Sequence, residues 1–106
     1  MTKLEQAQNR NTSPEILSVL ATDENESVRY LVAENPNTSP ETLSVLATDN
    51  YWEIRCWVAR NPNTSTETLQ VLATDEDKYV RHWVAENPNA TELIRRLVLM
   101  TDAQAK

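Results

Sequence analysis

One segment of 15 residues occurs twice in this chain almost unchanged, and the two copies are 26 residues apart. The first copy, 35–49, reads NPNTSPETLSVLATD, and the second, 61–75, reads NPNTSTETLQVLATD. An earlier copy, 9–23, has Arg10 in place of the proline, and a fourth copy begins at Asn87. A repeat of this length is typical of two short helices per unit, which bury their apolar sides only against neighbouring units. The chain is therefore expected to fold as an α-helical solenoid.

The first helix of each unit is indicated by its start signals. In the second unit, Ser39 can cap the helix and Pro40 can take its first position, where the missing amide costs nothing. Alternatively, Thr38 can be the cap, with Glu41 completing a capping box. Both assignments predict a helix with a wide apolar stripe, formed by Leu43, Val45, Leu46 and Ala47.

The second helix is expected to begin near Asp49, which can cap it. It should end at Asn61, because the residue before a proline is disfavoured in the helical region. Without glycine in the chain, Asn63 is expected to carry the turn. The core-facing positions have the i, i+3, i+4 spacing of one helical face; they are Val28, Leu31, Val32, Ile54, Trp57, Val58, Val80, Trp83 and Val84.

These boundaries predict one all-α domain, 1–106, with three complete repeats and a half-repeat at each end. Residues 2–8 align with a second helix that lacks its partner, and 87–100 contains a first helix after a one-residue deletion. The polar tail, 101–106, is expected to fray. The complete repeats are about 9–34, 35–60 and 61–86, which is about the minimum number for a stable stack.

The composition excludes several classes of function. The formal net charge of −6 repels phosphate backbones, so nucleic acid is not the expected partner. The absence of glycine removes the phosphate-binding loops. The single cysteine, Cys56, cannot form an internal disulfide and is typical of a reducing cytoplasm. No apolar run is long enough for a signal peptide or a membrane span, so we expect a soluble cytoplasmic protein with no membrane partner.

The unit resembles the leucine-rich repeat variant family, whose pattern is Asn-Pro, a Thr-Pro-Glu-x-Leu helix start, Leu-Ala-x-Asp and then Val-Arg. The family is helical, and the resemblance implies helix pairs, one often of the 3₁₀ kind, stacked in a right-handed superhelix that acts as a scaffold. Some members carry a cysteine-rich iron–sulfur segment, but one cysteine is too few, and no cofactor is expected. The matching elements here are Asn35-Pro36, Ser39-Pro40-Glu41-Thr42-Leu43, Leu46-Ala47-Thr48-Asp49 and Ile54-Arg55.

The unit is also similar to HEAT repeats, in which an aspartate and an arginine six residues apart form a ladder between units. This resemblance implies a structural ladder here. The arginines could instead form a row that binds an anion, but the aspartate that recurs with each arginine favours charge-assisted hydrogen bonds between repeats. The pairs are Asp23/Arg29, Asp49/Arg55 and Asp75/Arg81.

The outward face of the second helices is the predicted binding surface for another protein. If the i, i+3, i+4 positions face the core, positions such as 26, 30 and 34 point outward. Second helices commonly line the concave side of a solenoid, and exposed aromatic groups are typical of binding hot spots. The glutamates there would equally suit an ordinary solvated face. The expected partner-binding residues are Trp52, Tyr30, His82, Cys56, Arg60, Tyr51, Tyr79 and Lys78.

Catalysis and metal binding are not expected. Tyr30, Cys56 and His82 share one repeat position, but neighbouring helices lie about 8–10 Å apart, whereas metal ligands must lie about 2.0–2.3 Å from one ion. The acidic segment 75–77 lacks the rest of a calcium loop. Two alternatives to protein binding are a nucleic-acid-binding helical repeat, disfavoured by the acidic charge, and an architectural piece that self-associates through the apolar C-terminal helix at 97–100.

The net charge gives the first testable prediction. Duplex or single-stranded DNA should bind no tighter than about 0.1 mM at physiological salt, because the surface has no excess of cations to release counterions. Fluorescence anisotropy of a labelled oligonucleotide measures this. A micromolar complex whose affinity falls steeply with added salt would contradict the prediction.

Overall fold

The computed structural model of the chain describes residues 1–105, which form eight α-helices and no strand. The predicted all-α class is therefore confirmed. From α2 to α7, helices of seven residues alternate with helices of nine. The elements are α1 (Lys3–Gln8), α2 (Pro14–Leu20), α3 (Glu26–Glu34), α4 (Pro40–Leu46), α5 (Trp52–Arg60), α6 (Thr66–Leu72), α7 (Lys78–Glu86) and α8 (Glu92–Gln104).

The helices form two rows. The row that we call the packed row consists of α1, α3, α5 and α7, each in contact with the next, and α8 packs against its last member. The short helices α2, α4 and α6, which we call the short row, pack on the packed row, but no comparable contact joins one of these three to the next. The described part of the chain is consequently elongated, with extents of 46 × 22 × 16 Å.

The start of α4 settles the choice between the two possible caps. The Ser39 hydroxyl accepts a hydrogen bond from the amide of Thr42 at 3.2 Å, and Pro40 is the first helical residue. Thr38 is fully buried, and its hydroxyl donates instead to the carbonyl oxygen of Val32 at 2.6 Å. Its role is therefore to fix the turn that follows the preceding helix.

The predicted Asp49 cap is wrong. Helix α5 begins at Trp52, and its N-cap, Tyr51, makes no side-chain capping bond. The carboxylate of Asp49 accepts from the Tyr51 amide at 3.1 Å and from Nε of Arg29 at 2.7 Å. Asp49 lies three residues before the first helical residue, so its carboxylate binds the turn and not the helix. The equivalent N-cap residues, Asn25 and Asp77, do cap their helices, and a tyrosine holds that position here.

Fewer residues are buried in the core than the apolar stripes of the sequence predict. Val45 is 56% exposed, and the equivalent Val19 and Val71 are exposed as well, because no neighbouring helix covers the outer side of the short row. Trp57 and Trp83 are only partly buried, although the sequence predicts them in the core. The smaller residues of the packed row form the interior instead, among them Val28, Val32, Ile54, Val58, Val80 and Val84.

The turn after each longer helix is made without left-handed backbone. Asn61, at the C-terminus of α5, is extended with φ −72° and ψ 127°, and no residue of the described chain has a positive φ. Asn63 therefore does not act as a glycine substitute. Its amide donates to Oδ1 of Asn61 at 2.9 Å, and its side-chain Nδ2 donates to the carbonyl oxygens of Pro36 and Thr38 in the preceding unit.

A row of buried asparagines joins consecutive units, and we call it the asparagine ladder. Nδ2 of Asn61 donates to the carbonyl oxygens of Ala33 and Asn35, at 2.9 and 3.1 Å. The last carbonyl groups of a helix have no partner within it, so the asparagine at the C-terminus of the next helix in the packed row supplies the missing donor. The ladder consists of Asn35, Asn61 and Asn87, which make the same pair of bonds one unit apart.

A second row of bonds, the arginine ladder, joins the other ends of the longer helices. Nε of Arg55 donates to Asp75 at 2.8 Å, and its Nη1 donates to the backbone carbonyl of Asp49 at 2.7 Å. Each arginine thus binds the aspartate of the following unit, and only the main chain of the aspartate six residues earlier. The hydrogen bond to Asp75 raises the pKa of Arg55, so this side chain stays charged. Arg29 binds Asp49 and the Asp23 carbonyl in the same way.

Other residues take over these roles at the two ends. Lys3 binds Asp23 at 2.8 Å in place of an arginine and lowers the pKa of that carboxyl group. Arg81 binds Asp102, which the sequence analysis did not single out. Residues 101–104 belong to α8, so the expectation that the tail frays is wrong for them, and Lys106 lies outside the described residues.

The asparagine ladder predicts a strong stability effect at one buried amide. Asn61→Ala should lower the free energy of unfolding by about 2–4 kcal/mol, because the buried carbonyl of Ala33 and the amide of Asn63 lose their side-chain partner and the carbonyl of Asn35 keeps only its bond from Thr38. Asn61→Asp should be similarly destabilising at neutral pH, since it places a carboxylate against carbonyl oxygens. Because burial there raises the folded-state pKa of the new carboxyl group, that variant should regain stability relative to the parent as the pH falls.

Urea unfolding followed by circular dichroism measures these changes. Asn50→Ala is the control, because Asn50 is exposed and its replacement should change stability by less than about 0.5 kcal/mol. Equal stability of the Asn61 and Asn50 variants would show that the ladder contributes little.

Candidate partner-binding surface

Aromatic side chains line one side of the packed row, and we call this region the aromatic surface. Tyr51, Trp52 and Tyr79 are exposed, whereas Tyr30, Trp57 and Trp83 are partly buried against the core. His82 is exposed beside them. The surface therefore includes two tryptophans that the sequence analysis assigned to the core.

Trp52 and Tyr79 form an exposed pair across α5 and α7. Their ring centroids are 5.7 Å apart with an angle of 32° between the ring planes, and the residues are 40% and 52% exposed. The contact between the rings contributes on the order of 0.5–1.5 kcal/mol beyond the area it buries. Much of both rings still faces water, so the pair is available to a partner.

Cys56 does not lie on the outward face, contrary to the prediction. It is buried, and its Sγ lies 3.9 Å from the carbonyl oxygen of Tyr79. The short side chain lies one helical turn after Trp52, at the contact of α5 with α7, whereas the longer Tyr30 and His82 at the same repeat position reach further out. Burial raises the pKa of the Cys56 thiol, which disfavours the reactive thiolate.

Arg60 binds two indole rings at once. Its guanidinium carbon lies 4.0 Å from the ring centroid of Trp57 and 4.2 Å from that of Trp83. Because the two tryptophans belong to neighbouring helices, the cation is held between them. Tyr30 meets Trp57 edge-on at 6.1 Å, and His82 meets Trp83 edge-on at 5.0 Å. The structure therefore brings Tyr30, Arg60 and His82 together, but through tryptophans that the prediction left out.

The other predicted residues of the surface lie near its edges. The Lys78 ammonium is 5.3 Å from the ring centroid of Tyr79. Tyr51 lies beside the arginine ladder, 5.8 Å from the guanidinium carbon of Arg29. The acidic residues on the same helices, Glu26, Glu34, Glu53 and Glu86, are exposed. The surface thus combines an aromatic centre with charges of both signs.

Two shallow cavities open between helices next to the aromatic surface. One of about 480 Å³ lies between α3 and the start of α5, with Tyr30 and Tyr51 in its lining. Another of about 640 Å³ lies between α7 and α8 and includes His82. At the equivalent place between α5 and α7 stands the Trp52–Tyr79 pair. The side chains of a partner could enter the two cavities on either side of that pair.

The described residues hold neither a metal-binding cluster nor a membrane-spanning helix. No group of three or more histidine, cysteine, aspartate or glutamate side chains within 1–105 is placed to hold a metal ion. None of the eight helices is both long enough and apolar enough to cross a bilayer. The three exposed valines of the short row form another exposed apolar feature, and it contains no aromatic side chain.

Arg60 gives a testable prediction about the architecture of this surface. Arg60→Ala should lower the free energy of unfolding by about 1–2 kcal/mol, because two cation–π contacts are lost together. It should also change the tryptophan emission spectrum, since water would reach Trp57 and Trp83. Arg60→Lys, which keeps the charge without the planar group, should fall between the parent and the alanine variant.

Chemical unfolding and fluorescence spectra of the purified variants check this. Arg96→Ala, which removes an exposed arginine paired with Glu92 on α8, is the control and should cost less than about 0.5 kcal/mol. If the Arg60 and Arg96 variants lose the same stability, the indole contacts are not stabilising.

The repeats were compared with known families, proteins and structures. Comparison of the whole chain with curated proteins and with solved structures found no match. The model of the Leucine Rich Repeat Variant domain matches residues 30–81, a segment that runs from α3 into α7 and includes most of the aromatic surface. Through this segment, about half of its length, the chain belongs to the leucine-rich repeat variant family.

Proposed function

We propose that this chain is a non-catalytic protein-binding module, acting as an adaptor or regulator, and that its partner binds the aromatic surface. The exposed Trp52–Tyr79 pair is the observation that carries the proposal. The equivalents of Trp52 in the adjacent units are Glu26 and Lys78, so the repeat does not need an aromatic ring there for packing. A large apolar ring kept in water by the fold is best explained by a partner that covers it.

The architecture that we propose is a right-handed solenoid of three complete repeats, 9–34, 35–60 and 61–86, flanked by half-repeats. The right-handed sense is what the resemblance to the leucine-rich repeat variant family implies. The repeat boundaries are supported by the bonds of both ladders, which recur from unit to unit. Consecutive helices of the packed row are in closer contact than those of the short row. A stack whose helices are closer on one side curves toward that side, which supports a concave aromatic surface.

Protein is a better partner for this surface than nucleic acid. Its exposed cations, Arg60 and Lys78, are outnumbered by the glutamates of the same helices, and a phosphate backbone requires a continuous positive stripe. An enzymatic role is equally unsupported, since burial disfavours the thiolate of Cys56. We therefore propose a cytoplasmic protein partner and no cofactor.

Self-association through α8 is the second candidate, favoured by one specific observation. Leu93, Leu99 and Met100 are all exposed on this helix, and a second copy could cover them. Light scattering across a concentration series distinguishes the two functions. A dimer abolished by Leu99→Glu would favour self-association, and a monomer at every concentration would favour binding through the aromatic surface.

Trp52 gives the test of the main proposal. Trp52→Ala should weaken partner binding by about 2 kcal/mol, which is the scale of a hot-spot residue. It should lower the free energy of unfolding by only about 1 kcal/mol, since the ring contact with Tyr79 is lost but the core is kept. Proteins captured from a native lysate by the immobilised parent chain, and then titrated individually with each variant, provide the binding measurement.

Val45→Ala is the matched control, because it truncates an exposed apolar residue on the short row. A partner that binds the parent and Val45→Ala alike but is lost with Trp52→Ala would support the proposal. A partner that is lost with Val45→Ala and retained by Trp52→Ala would place the binding surface on the short row instead.

A further inference from the structure

The charges at one position of the packed row narrow the chemistry of the partner. Glu34, Arg60 and Glu86 are equivalent residues, 26 positions apart, at the ends of α3, α5 and α7. All three are exposed. Along the stack they form a charge column that reads negative, positive, negative, and each charge belongs to a different helix.

The cation at the centre of this charge column is held in place but has no anionic partner. In residues 1–105, no carboxylate lies within 4.0 Å of Arg60, whereas Arg29, Arg55 and Arg81 each bind an aspartate. The indoles of Trp57 and Trp83 lie against the guanidinium group. Ring contacts use the flat faces of a guanidinium, and its N–H donors point along its edges. The exposed edge of Arg60 is therefore a preorganised donor group for a carboxylate, which loses little side-chain entropy on binding.

The glutamates on either side restrict which carboxylate can bind there. A peptide with consecutive acidic residues would place negative charges near Glu34 and Glu86, and like charges across an interface are unfavourable. A single carboxylate flanked by cations would complement all three positions. This pattern also suits a chain of net charge −6, because the ligand as a whole is then positive.

The spacing of the charge column fits an extended peptide that runs along the stack. Packed helices lie about 8–10 Å apart, and an extended chain in the polyproline II conformation advances about 3.1 Å per residue and turns the same side outward at every third residue. Every third residue of such a peptide therefore meets the next helix of the packed row. A helical peptide advances only about 1.5 Å per residue and would need six or seven residues for the same step.

We propose that the charge column binds an extended segment of a partner protein with the pattern basic-x-x-acidic-x-x-basic. The central carboxylate binds Arg60, and the two cations lie opposite Glu34 and Glu86. This inference rests on the proposed protein-binding function and names the chemistry of the segment that is bound. Trp52 lies eight residues before Arg60 on α5, about 12 Å along the helix, so it contacts a different part of the partner.

Synthetic peptides test the pattern directly. The probe is Ser-Lys-Ser-Thr-Glu-Ser-Thr-Lys-Ser with blocked termini, titrated at low ionic strength while the tryptophan emission of the protein is recorded. It should bind at least about tenfold tighter than a peptide of the same composition with both lysines at one end, because only the ordered peptide pairs all three charges. Equal binding of the two peptides would overturn the proposal, since it would show attraction by net charge alone.

A charge reversal at Arg60 in the protein provides a second experiment. Arg60→Glu should bind the probe at least about tenfold more weakly than the parent does. It should also bind a second peptide, in which lysine replaces the glutamate of the probe, more tightly than the parent binds that peptide. Arg96→Glu on α8 changes the net charge equally and should bind the probe like the parent. Loss of the probe by both variants would overturn the proposal, and so would loss by neither.

The result of these peptide titrations can be distinguished from the result of the capture experiment that tests the proposed function. If no peptide binds the parent chain, the charge column is not a binding site and this inference fails. Capture of a partner that depends on Trp52 would still support protein binding through the aromatic surface. If the probe binds in an Arg60-dependent manner but Trp52→Ala retains every captured partner, the inference stands and the assigned hot spot is wrong.

Discussion

The buried amide of one asparagine in each unit is the contact on which the stack depends most. A helix that ends without glycine, as α5 does at Asn61, leaves its last carbonyl groups without donors. In this chain the donors come from the asparagine at the C-terminus of the next helix in the packed row. No single unit can therefore complete its own hydrogen bonds, and the fold is stable only as a stack.

The two ladders together fix the spacing of the packed row and hence the geometry of the aromatic surface. The arginine ladder joins neighbouring longer helices near their N-termini, for example through Arg55 and Asp75, and the asparagine ladder joins them at their C-termini. A helix tethered at both ends to its neighbour can neither slide nor tilt easily. Trp57 and Trp83 are consequently held at the distance that lets Arg60 contact both rings.

Features that repeat along the chain could be predicted from the sequence, and so could the existence of an arginine–aspartate ladder between units. The other contacts between units could not. The 26-residue period, the Ser39 cap and the core positions around Val58 depend on local pattern, and the structure agrees with them. The Asp49 cap failed because the helix begins at Trp52, and Tyr51 therefore holds the N-cap position. Cys56 was misplaced because helical phase alone does not say how far a short side chain reaches. The contacts of Arg60 with Trp57 and Trp83 depend on the distance between α5 and α7. The residue spacing within a single unit does not determine that distance.

The identity of the ladder bonds from unit to unit bears on how such a chain can change in length during evolution. Each internal unit, such as 35–60, both donates and accepts bonds toward each neighbour. Asn35 donates and Asp49 accepts on one side, whereas Arg55 donates and the Asn35 carbonyl accepts on the other. A duplicated copy of this block would fit between its neighbours and find every donor and acceptor already in place. Lengthening by gene duplication therefore needs no compensating mutation. Each added block would extend the aromatic surface by one more helix, whose outward side chains are free to diverge.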